Sequence, residues 1–150
     1  MEAIIPKLCE QANVIHVTGK GKSGASASVN ARYHPYEVLG DEMGKALAGA
    51  DVVVTRAGMG AITELSAFGK AAIVIPLPDS AQERNAQLLR DTDTAVVLSQ
   101  NEAGAEDLLH VIEGLLADTE KRRRLSKAIA VILPTHVAEQ LVEHVTKHCA

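Results

Sequence analysis

Short apolar runs rich in valine and isoleucine alternate with segments of helical pattern along most of this chain. The clearest runs are DVVVT at 51–55, AAIVIP at 71–76 and TAVVLS at 94–99. Each is apolar throughout rather than at every second residue, which is typical of a strand buried on both faces of a parallel sheet. The alternation therefore predicts an α/β protein with an open parallel sheet of Rossmann type and helices on both faces.

The remaining segments fit the same alternation. NVIHVT at 13–18 predicts a buried strand, and YEVL at 36–39 predicts a shorter one. Helical periodicity predicts helices over 2–12, 41–50, 60–69, 81–91, 105–117, 119–132 and 134–149. Asp41 is expected to cap the second of these helices, and Gly69 is expected to end the third in the left-handed conformation.

The length and composition favour a single domain over residues 1–150. A chain of 150 residues with 47% hydrophobic residues can bury one ordinary core, and it contains no repeat or long linker. The pattern opens inside a helix, whereas a Rossmann-type unit begins with a strand and a glycine-rich turn. We therefore expect that the first strand lies on another polypeptide or that the chain is truncated.

Charge and aromatic content argue against a nucleic-acid partner. The net charge is −4, the pI is near 5.8, and aromatic residues make up 2% of the chain. Nothing resembles a signal peptide, and no apolar run reaches the roughly 18 residues of a membrane-spanning helix. We expect a cytoplasmic protein that could still touch a membrane surface.

The cysteines and histidines do not predict a metal site. Cys9 and Cys149 have no metal-ligand spacing and form no disulfide framework, which predicts free thiols in a reducing compartment. His144 and His148 are four residues apart on the last predicted helix, but they lack a third ligand nearby. We expect a solvated helix face there and no bound metal.

The stretch HVTGKGKSG at 16–24 contains the Gly-Lys-Ser that ends a phosphate-binding P-loop. A P-loop also needs a glycine five positions before the Gly of that triplet, and a helix after it. His16 occupies the first position, and GASASVNARY follows the triplet without a helical pattern. We interpret the stretch as a flexible basic loop after a strand.

A better anion site lies within residues 50–76. A predicted strand ends at Thr55, Gly58 and Gly60 follow, and a helix then begins. Free backbone N–H groups and the positive end of the helix dipole would therefore meet at the carboxyl edge of the sheet, where open α/β sheets bind ligands. Glu64, about one turn into the helix, can accept hydrogen bonds from two hydroxyl groups. The spacing suits a phosphate with an attached ribose, and it suits equally a tight strand-to-helix turn followed by a favourable early acid.

The block ADVVVTRAGMGAITELSAFGKAAIVIPLP at 50–78 resembles the MurG-type glycosyltransferases of peptidoglycan synthesis, with Arg56, Gly58 and Glu64 in register. Those enzymes have the two-domain GT-B fold and transfer N-acetylglucosamine from its UDP donor to lipid I. The resemblance runs from about residue 6 to about residue 130 and covers their carboxyl-terminal domain. It implies that this chain is a partial GT-B carboxyl-terminal domain that binds a nucleotide sugar.

The resemblance also implies a role for individual residues of this block. In the family, a glutamate at the position of Glu64 binds the ribose hydroxyls of the donor. Backbone amides at the positions of Met59, Gly60 and Ala61 hold its diphosphate. Arg56 could steady that diphosphate or brace the turn, since arginine suits both roles.

A second segment, PDSAQERNAQLL at 78–89, resembles a family stretch with paired glutamines followed by Asn-Ala. Gln82 and Asn85 are therefore expected to contact the donor sugar, because an amide both donates to and accepts from hydroxyl groups. Ala81 replaces one of the two glutamines, and the basic and histidine residues of the family's preceding loop are absent. The identity of the donor sugar thus stays open.

Two further loops match the family upstream. VLGDEM resembles the loop whose backbone pairs with uracil, which places Leu39 and Gly40 near the base. HVTGKG resembles the family's His-Gln-x-Gly loop, with Val17 in place of the glutamine. The Gly-Lys-Ser triplet thus falls in a family loop that is not a P-loop.

Together these observations predict the donor-binding half of a UDP-N-acetylglucosamine transferase, without a cofactor and inactive alone. No residue can be assigned as catalytic, because in the resembling family the general base comes from the amino-terminal domain. The expected partners are UDP-N-acetylglucosamine or UDP and an amino-terminal acceptor-binding domain or subunit. Contact with the inner face of the cell membrane is expected through that partner. The alternatives are a UDP-sugar epimerase-like GT-B protein and a non-catalytic nucleotide-sugar-binding or interaction module.

Overall fold

The computed structural model describes residues 2–22, 30–101, 104–133 and 137–148. The helices are α1 (Ile5–Gln11), α2 (Met43–Gly49), α3 (Met59–Phe68), α4 (Gln82–Asp91), α5 (Ala105–Ala117), α6 (Thr119–Ile129) and α7 (Val137–His148). The strands are β1 (Val14–Val17), β2 (Tyr33–Tyr36), β3 (Val53–Thr55), β4 (Ala72–Val74) and β5 (Val96–Val97). Short 3-10 helices, Glu2–Ile4 and Gly40–Glu42, precede α1 and α2.

All strand pairs of the described residues are parallel, as the continuous apolar runs predict. The strands form two hydrogen-bonded sheets rather than one, with the orders β1-β2 and β3-β4-β5. The α/β class with an open parallel arrangement is confirmed. The division into two sheets was not predicted, because the composition of a strand does not reveal which edges find partners.

Helices cover both faces of the larger sheet, as predicted. Successive side chains of β4 point to opposite faces, so Ile73 and Val74 enter different clusters. The first cluster joins β4 to α1, α5 and α6 through Ile4, Leu8, Ala71, Ile73, Leu108, Leu109, Ile112, Leu115 and Leu125. The second joins β4 to α3, α4 and α6 through Ala57, Ile62, Leu65, Ala72, Val74, Ala86, Leu89, Ala95 and Ile129. Among the described helices, none is long and apolar enough to cross a membrane.

Strand β2 begins earlier than predicted and ends at Tyr36, where the predicted strand starts. The partner strand decides this position, because Val14 N–H donates to Arg32 O and Thr18 N–H donates to Tyr36 O. Pro35 is tolerated inside β2, since its position in the ladder directs its missing N–H away from β1.

The expectation that Asp41 caps a helix is wrong. The chain turns at Gly40, whose φ is +48°, and enters a 3-10 helix at that residue. Asp41 therefore lies inside the helical segment rather than before it, and neither this segment nor α2 has a side-chain cap.

The predicted end of α3 is confirmed. Gly69 has a φ of +56° and a ψ of 49°, and its N–H reaches the carbonyls of Leu65 and Ser66. A Cβ atom there would come within 3.5 Å of the carbonyl oxygen of Ser126. Helix α5 keeps its predicted bounds, whereas α6 ends at Ile129, three residues before the prediction.

Candidate functional site

The turn between β3 and α3 opens the amino-terminal end of α3 to solvent. Ala57 is completely buried, and Gly58 precedes the helix with extended backbone (φ −70°, ψ 145°). The N–H groups of Met59, Gly60 and Ala61 belong to the first turn, where an α-helix supplies no acceptor, and no side chain caps them. The three consecutive amides are thus available to an anion at the carboxyl edge of the sheet.

Glycine is not required at this turn by the backbone. The φ of Gly58 is one that any residue adopts, and Gly60 lies inside α3. A Cβ atom built on either glycine would meet none of the described heavy atoms within 4 Å. The two glycines therefore leave open space above the helix start, which disfavours the interpretation that they serve only to make a tight turn.

Glu64 lies one turn further along α3, and its side chain is exposed. Within the described ranges its carboxylate has no hydrogen-bond partner. The neighbouring Thr63 differs, because its hydroxyl donates to the carbonyl of Met59 at 2.9 Å. Glu64 thus keeps both carboxylate oxygens available as acceptors.

Arg56 braces the ends of the strands. Its Nη1 donates to the carbonyls of Ile75 and Pro76, both at 3.3 Å, and to Oε1 of Gln100 at 2.5 Å. Of the two roles that the sequence left open, the one seen in these contacts is bracing. The contact with Gln100 was not anticipated, because the two residues are 44 positions apart and no local pattern connects them.

Asn85 joins α4 to the turn that leads into α3. Its Nδ2 donates to the carbonyl of the buried Ala57 at 2.9 Å, which brings the two predicted sugar-nucleotide segments together. Gln82, the first residue of α4, accepts the N–H of Leu77 with its Oε1 at 3.1 Å. Each amide side chain therefore uses one of its two polar atoms in a hydrogen bond to the backbone. The other atom, Asn85 Oδ1 or Gln82 Nε2, is left to bind a ligand.

Leu39 and Gly40 lie after β2, in front of α2. Leu39 is buried and its carbonyl accepts the N–H of Glu42 at 2.9 Å, whereas Gly40 is exposed. Helix α2 packs against α3, since a Cβ on Gly44 would lie 3.5 Å from Cζ of Phe68. This loop follows the carboxyl end of β2, just as the β3–α3 turn follows the carboxyl end of β3.

The described start of the loop with the Gly-Lys-Ser triplet lies near the 3-10 helix Glu2–Ile4 instead. Lys22 and His16 line a cavity of about 570 Å³ together with Glu2, Ala3 and Thr18. His16 Nδ1 lies 2.9 Å from the hydroxyl of Tyr33, whose pKa is raised first by burial and then by the neighbouring Glu2 and Cys9. Ser23, like Cys149, falls outside the described residues, and the described thiol, Cys9, is free and buried.

Comparisons with known proteins agree on one family. Residues 1–145 match the model of the glycosyltransferase family 28 C-terminal domain. Over 122 residues the chain is 35% identical to the UDP-N-acetylglucosamine--N-acetylmuramyl-(pentapeptide) pyrophosphoryl-undecaprenol N-acetylglucosamine transferase of Xanthomonas oryzae pv. oryzae, covering 79% of this chain and 27% of that protein. The protein of the same name from Rubrobacter xylanophilus is 31% identical over 134 residues, covering 87% of this chain and 40% of that protein. The chain thus spans less than half the length of these curated relatives.

Among solved structures, the crystal structure of Acinetobacter baumannii MurG superposes with a TM-score of 0.82 at 24% sequence identity. The match covers 97% of this chain and 45% of that one. A glycotransferase of kitacinnamycin superposes with a TM-score of 0.71 at 21% identity, covering 95% of this chain and 38% of that one. At these identities the likeness establishes the fold, which is that of the carboxyl-terminal half of a GT-B protein.

Proposed function

The chain belongs to the family of glycosyltransferase family 28 C-terminal domains, and from this we propose that it is the donor-binding part of an N-acetylglucosaminyltransferase. The donor is UDP-N-acetylglucosamine and the acceptor is lipid-linked, in keeping with the names of the relatives. The observation that carries the proposal is the uncapped, open start of α3, followed one turn later by the carboxylate of Glu64, which has no partner among the described residues.

The first task of such a site is to stabilise the leaving diphosphate. The acceptor hydroxyl attacks the anomeric carbon of the sugar, the bond to the diphosphate breaks, and UDP departs with the negative charge. The N–H groups of Met59, Gly60 and Ala61 already point to solvent, so they receive this charge without reorganisation.

The second task is to hold the nucleoside and the sugar. Glu64 accepts hydrogen bonds from the two ribose hydroxyls, because its two carboxylate oxygens are acceptors and have no competing partner within the described residues. The free halves of Gln82 and Asn85 orient the hexose, and the backbone of Leu39 and Gly40 contacts the base. Arg56 is a positioning residue, since it holds the strand ends from which these loops leave.

The third task, activation of the acceptor, belongs to another part of the enzyme. We propose that an amino-terminal acceptor-binding domain or subunit supplies the general base. The complete enzyme would then work in the cytoplasm at the inner face of the cell membrane, where a lipid-linked acceptor is exposed.

Calorimetric titration of the 150-residue chain tests the donor site. UDP and UDP-N-acetylglucosamine should bind, and ADP should bind more weakly because the loop at Leu39 and Gly40 is proposed to select the base. A folded chain that binds none of the three nucleotides would contradict the proposal.

An activity assay tests the division of labour. The purified chain supplied with UDP-N-acetylglucosamine and lipid I should give no transfer, since it lacks the acceptor-binding part. Robust turnover by this chain alone would show that the base lies within it.

A further inference from the structure

Helix α2 follows the loop at Leu39 and Gly40, and little of it is buried. Leu47 is the one buried residue among the seven that form this helix. A helix of about two turns gains little stability from its own backbone hydrogen bonds, so contacts with the rest of the molecule determine where it lies. The placement of the loop in front of α2 therefore depends on what holds α2.

The side chain of Lys70 holds the carboxyl-terminal end of α2. Its Nζ donates to the carbonyl of Ala48 at 2.7 Å and to the carbonyl of Ala50 at 3.1 Å. The last carbonyls of an α-helix have no partners within the helix and form the negative end of its dipole, so a cation stabilises them. The last turn of α2 contains no basic residue of its own. Lys70 supplies the missing cation from the segment between α3 and β4.

The backbone of Lys70 is fixed to the end of α3. Its N–H donates to the carbonyl of Leu65 at 3.1 Å, and the N–H of Gly69 donates to the carbonyl of Ser66 at 3.2 Å. These two bonds form a Schellman motif, which closes α3 at the left-handed Gly69. The buried strand β4 begins two residues after Lys70. The side chain of Lys70 therefore starts from a well-anchored backbone and ties α2 to α3.

A donor nucleotide bound as proposed above would bridge these two helices. Its diphosphate and ribose contact the first turn of α3 and Glu64, whereas its base contacts the loop in front of α2. A ligand that spans two elements binds more tightly when both are held in place before it arrives, because less ordering is then needed on binding. The contact between Lys70 and α2 thus bears on the affinity for the nucleotide.

We propose that Lys70 is a positioning residue that sets the placement of the base site relative to the diphosphate site, and thereby the preference for uridine nucleotides. This inference rests on the proposed function. Lys70 follows the carboxyl-terminal end of the ten-residue α3, about 15 Å from its first turn, so it acts through α2 rather than on the ligand.

Calorimetric titration with UDP and with ADP tests this role, because the two nucleotides share the ribose and the diphosphate and differ in the base. Lys70→Met keeps an unbranched side chain and removes the donors. We expect the affinity for UDP to fall by about tenfold while the affinity for ADP stays nearly unchanged, since only the base site is displaced. The retained affinity for ADP also shows that the variant is folded.

Three results of this titration would overturn the proposal. Unchanged affinity for UDP would show that Lys70 does not position the base site. Equal losses for UDP and ADP would show a general effect on the fold. An original chain that binds neither nucleotide would contradict the proposed function as well, which distinguishes that failure from the other two.

Two further variants serve as controls. Lys45→Met removes an exposed lysine of α2 itself, which pairs with Glu42 at 3.6 Å, and it should leave both affinities unchanged. Lys70→Arg keeps a cation with several donors for the two carbonyls, so it should retain most of the preference for UDP. A loss of this preference in Lys45→Met, or an equal loss in Lys70→Arg and Lys70→Met, would contradict the hydrogen-bonded contact as its cause.

Amide hydrogen exchange without nucleotide measures the hold on α2 independently of ligand binding. The N–H of Ala50 donates to the carbonyl of Leu47 at the end of α2. Exchange at this amide should become about tenfold faster in Lys70→Met, and exchange at Leu65 in α3 should not change. Unchanged exchange at Ala50 would show that other contacts hold α2 and would overturn the proposal.

Discussion

Gly58 and Gly60 illustrate, at the scale of single residues, what three-dimensional structure adds to a motif. The spacing of these glycines in the sequence fits a ligand site and a tight turn equally well. The backbone at Gly58 is ordinary and the space above both glycines is open, so the turn does not need them. The absence of side chains at these two positions instead leaves room for a ligand to approach the start of α3.

The substitution Gly60→Ala should therefore change protein stability and UDP affinity in opposite directions. Alanine inside a helix is more favourable than glycine, so the free energy of unfolding in urea should rise by about 0.5–1 kcal/mol. The added methyl group lies where the diphosphate is proposed to approach, so the affinity for UDP should fall.

Gly114→Ala is the matched control for this prediction. Gly114 lies inside α5, and a Cβ there also meets nothing within 4 Å among the described residues. It should give a similar gain in stability without changing UDP affinity. A Gly60→Ala variant that binds UDP as well as the original chain would contradict the placement of the diphosphate.

Glu64 gives the second prediction at this scale. Glu64→Ala should weaken UDP binding by about 1–3 kcal/mol, because a charged hydrogen-bond acceptor for the ribose is lost. The measurement is calorimetric titration with UDP and with a 2′,3′-dideoxy analogue, which should bind the original chain and the variant alike. Glu10→Ala, an exposed acid on α1, should leave UDP affinity unchanged. Equal losses for UDP and the dideoxy analogue would exclude a ribose contact by Glu64.

At the scale of elements, local signals located the helices better than the strands. Gly69 ended α3 as predicted because a left-handed residue at a helix end depends on the local backbone. The position of β2 depends instead on β1, which lies far away in the sequence, and the run YEVL gave no sign of the register. The failure at Asp41 has a different, local origin, since the chain turns at Gly40 with a positive φ and the helical segment starts earlier than the side-chain pattern suggested.

Asn85 tests how α4 is attached to the β3–α3 turn. Asn85→Ala removes the donor to the carbonyl of Ala57, a completely buried residue, so the free energy of unfolding should fall by about 1–3 kcal/mol. Urea denaturation measures this loss. Gln87→Ala on the same helix removes surface hydrogen bonds with Asp91 and Arg90 and should change stability by about 0.5 kcal/mol or less. A loss at Asn85 no larger than that at Gln87 would contradict a structural role for its side chain.

At the scale of the whole molecule, parallel strands explain why the site could be anticipated in outline. Loops that leave the carboxyl ends of the neighbouring parallel strands β3 and β4 meet at one edge, so the segments around Gly58 and Gln82 belong to one region. The detailed bracing could not be anticipated, because Arg56 meets Gln100 and Asn85 meets Ala57 across 44 and 28 positions. No local pattern encodes contacts at such separations. The division of the strands into two sheets likewise cannot be derived from local sequence.

We propose that the start of α3 holds the diphosphate of a UDP-sugar. The most direct test is the ¹H–¹⁵N NMR spectrum of the chain titrated with UDP and, separately, with uridine. We predict that the amide resonances of Met59, Gly60 and Ala61 shift with UDP and stay in place with uridine, which lacks the diphosphate. Amides that remain unmoved at saturating UDP, or that move equally with uridine, would contradict the claim.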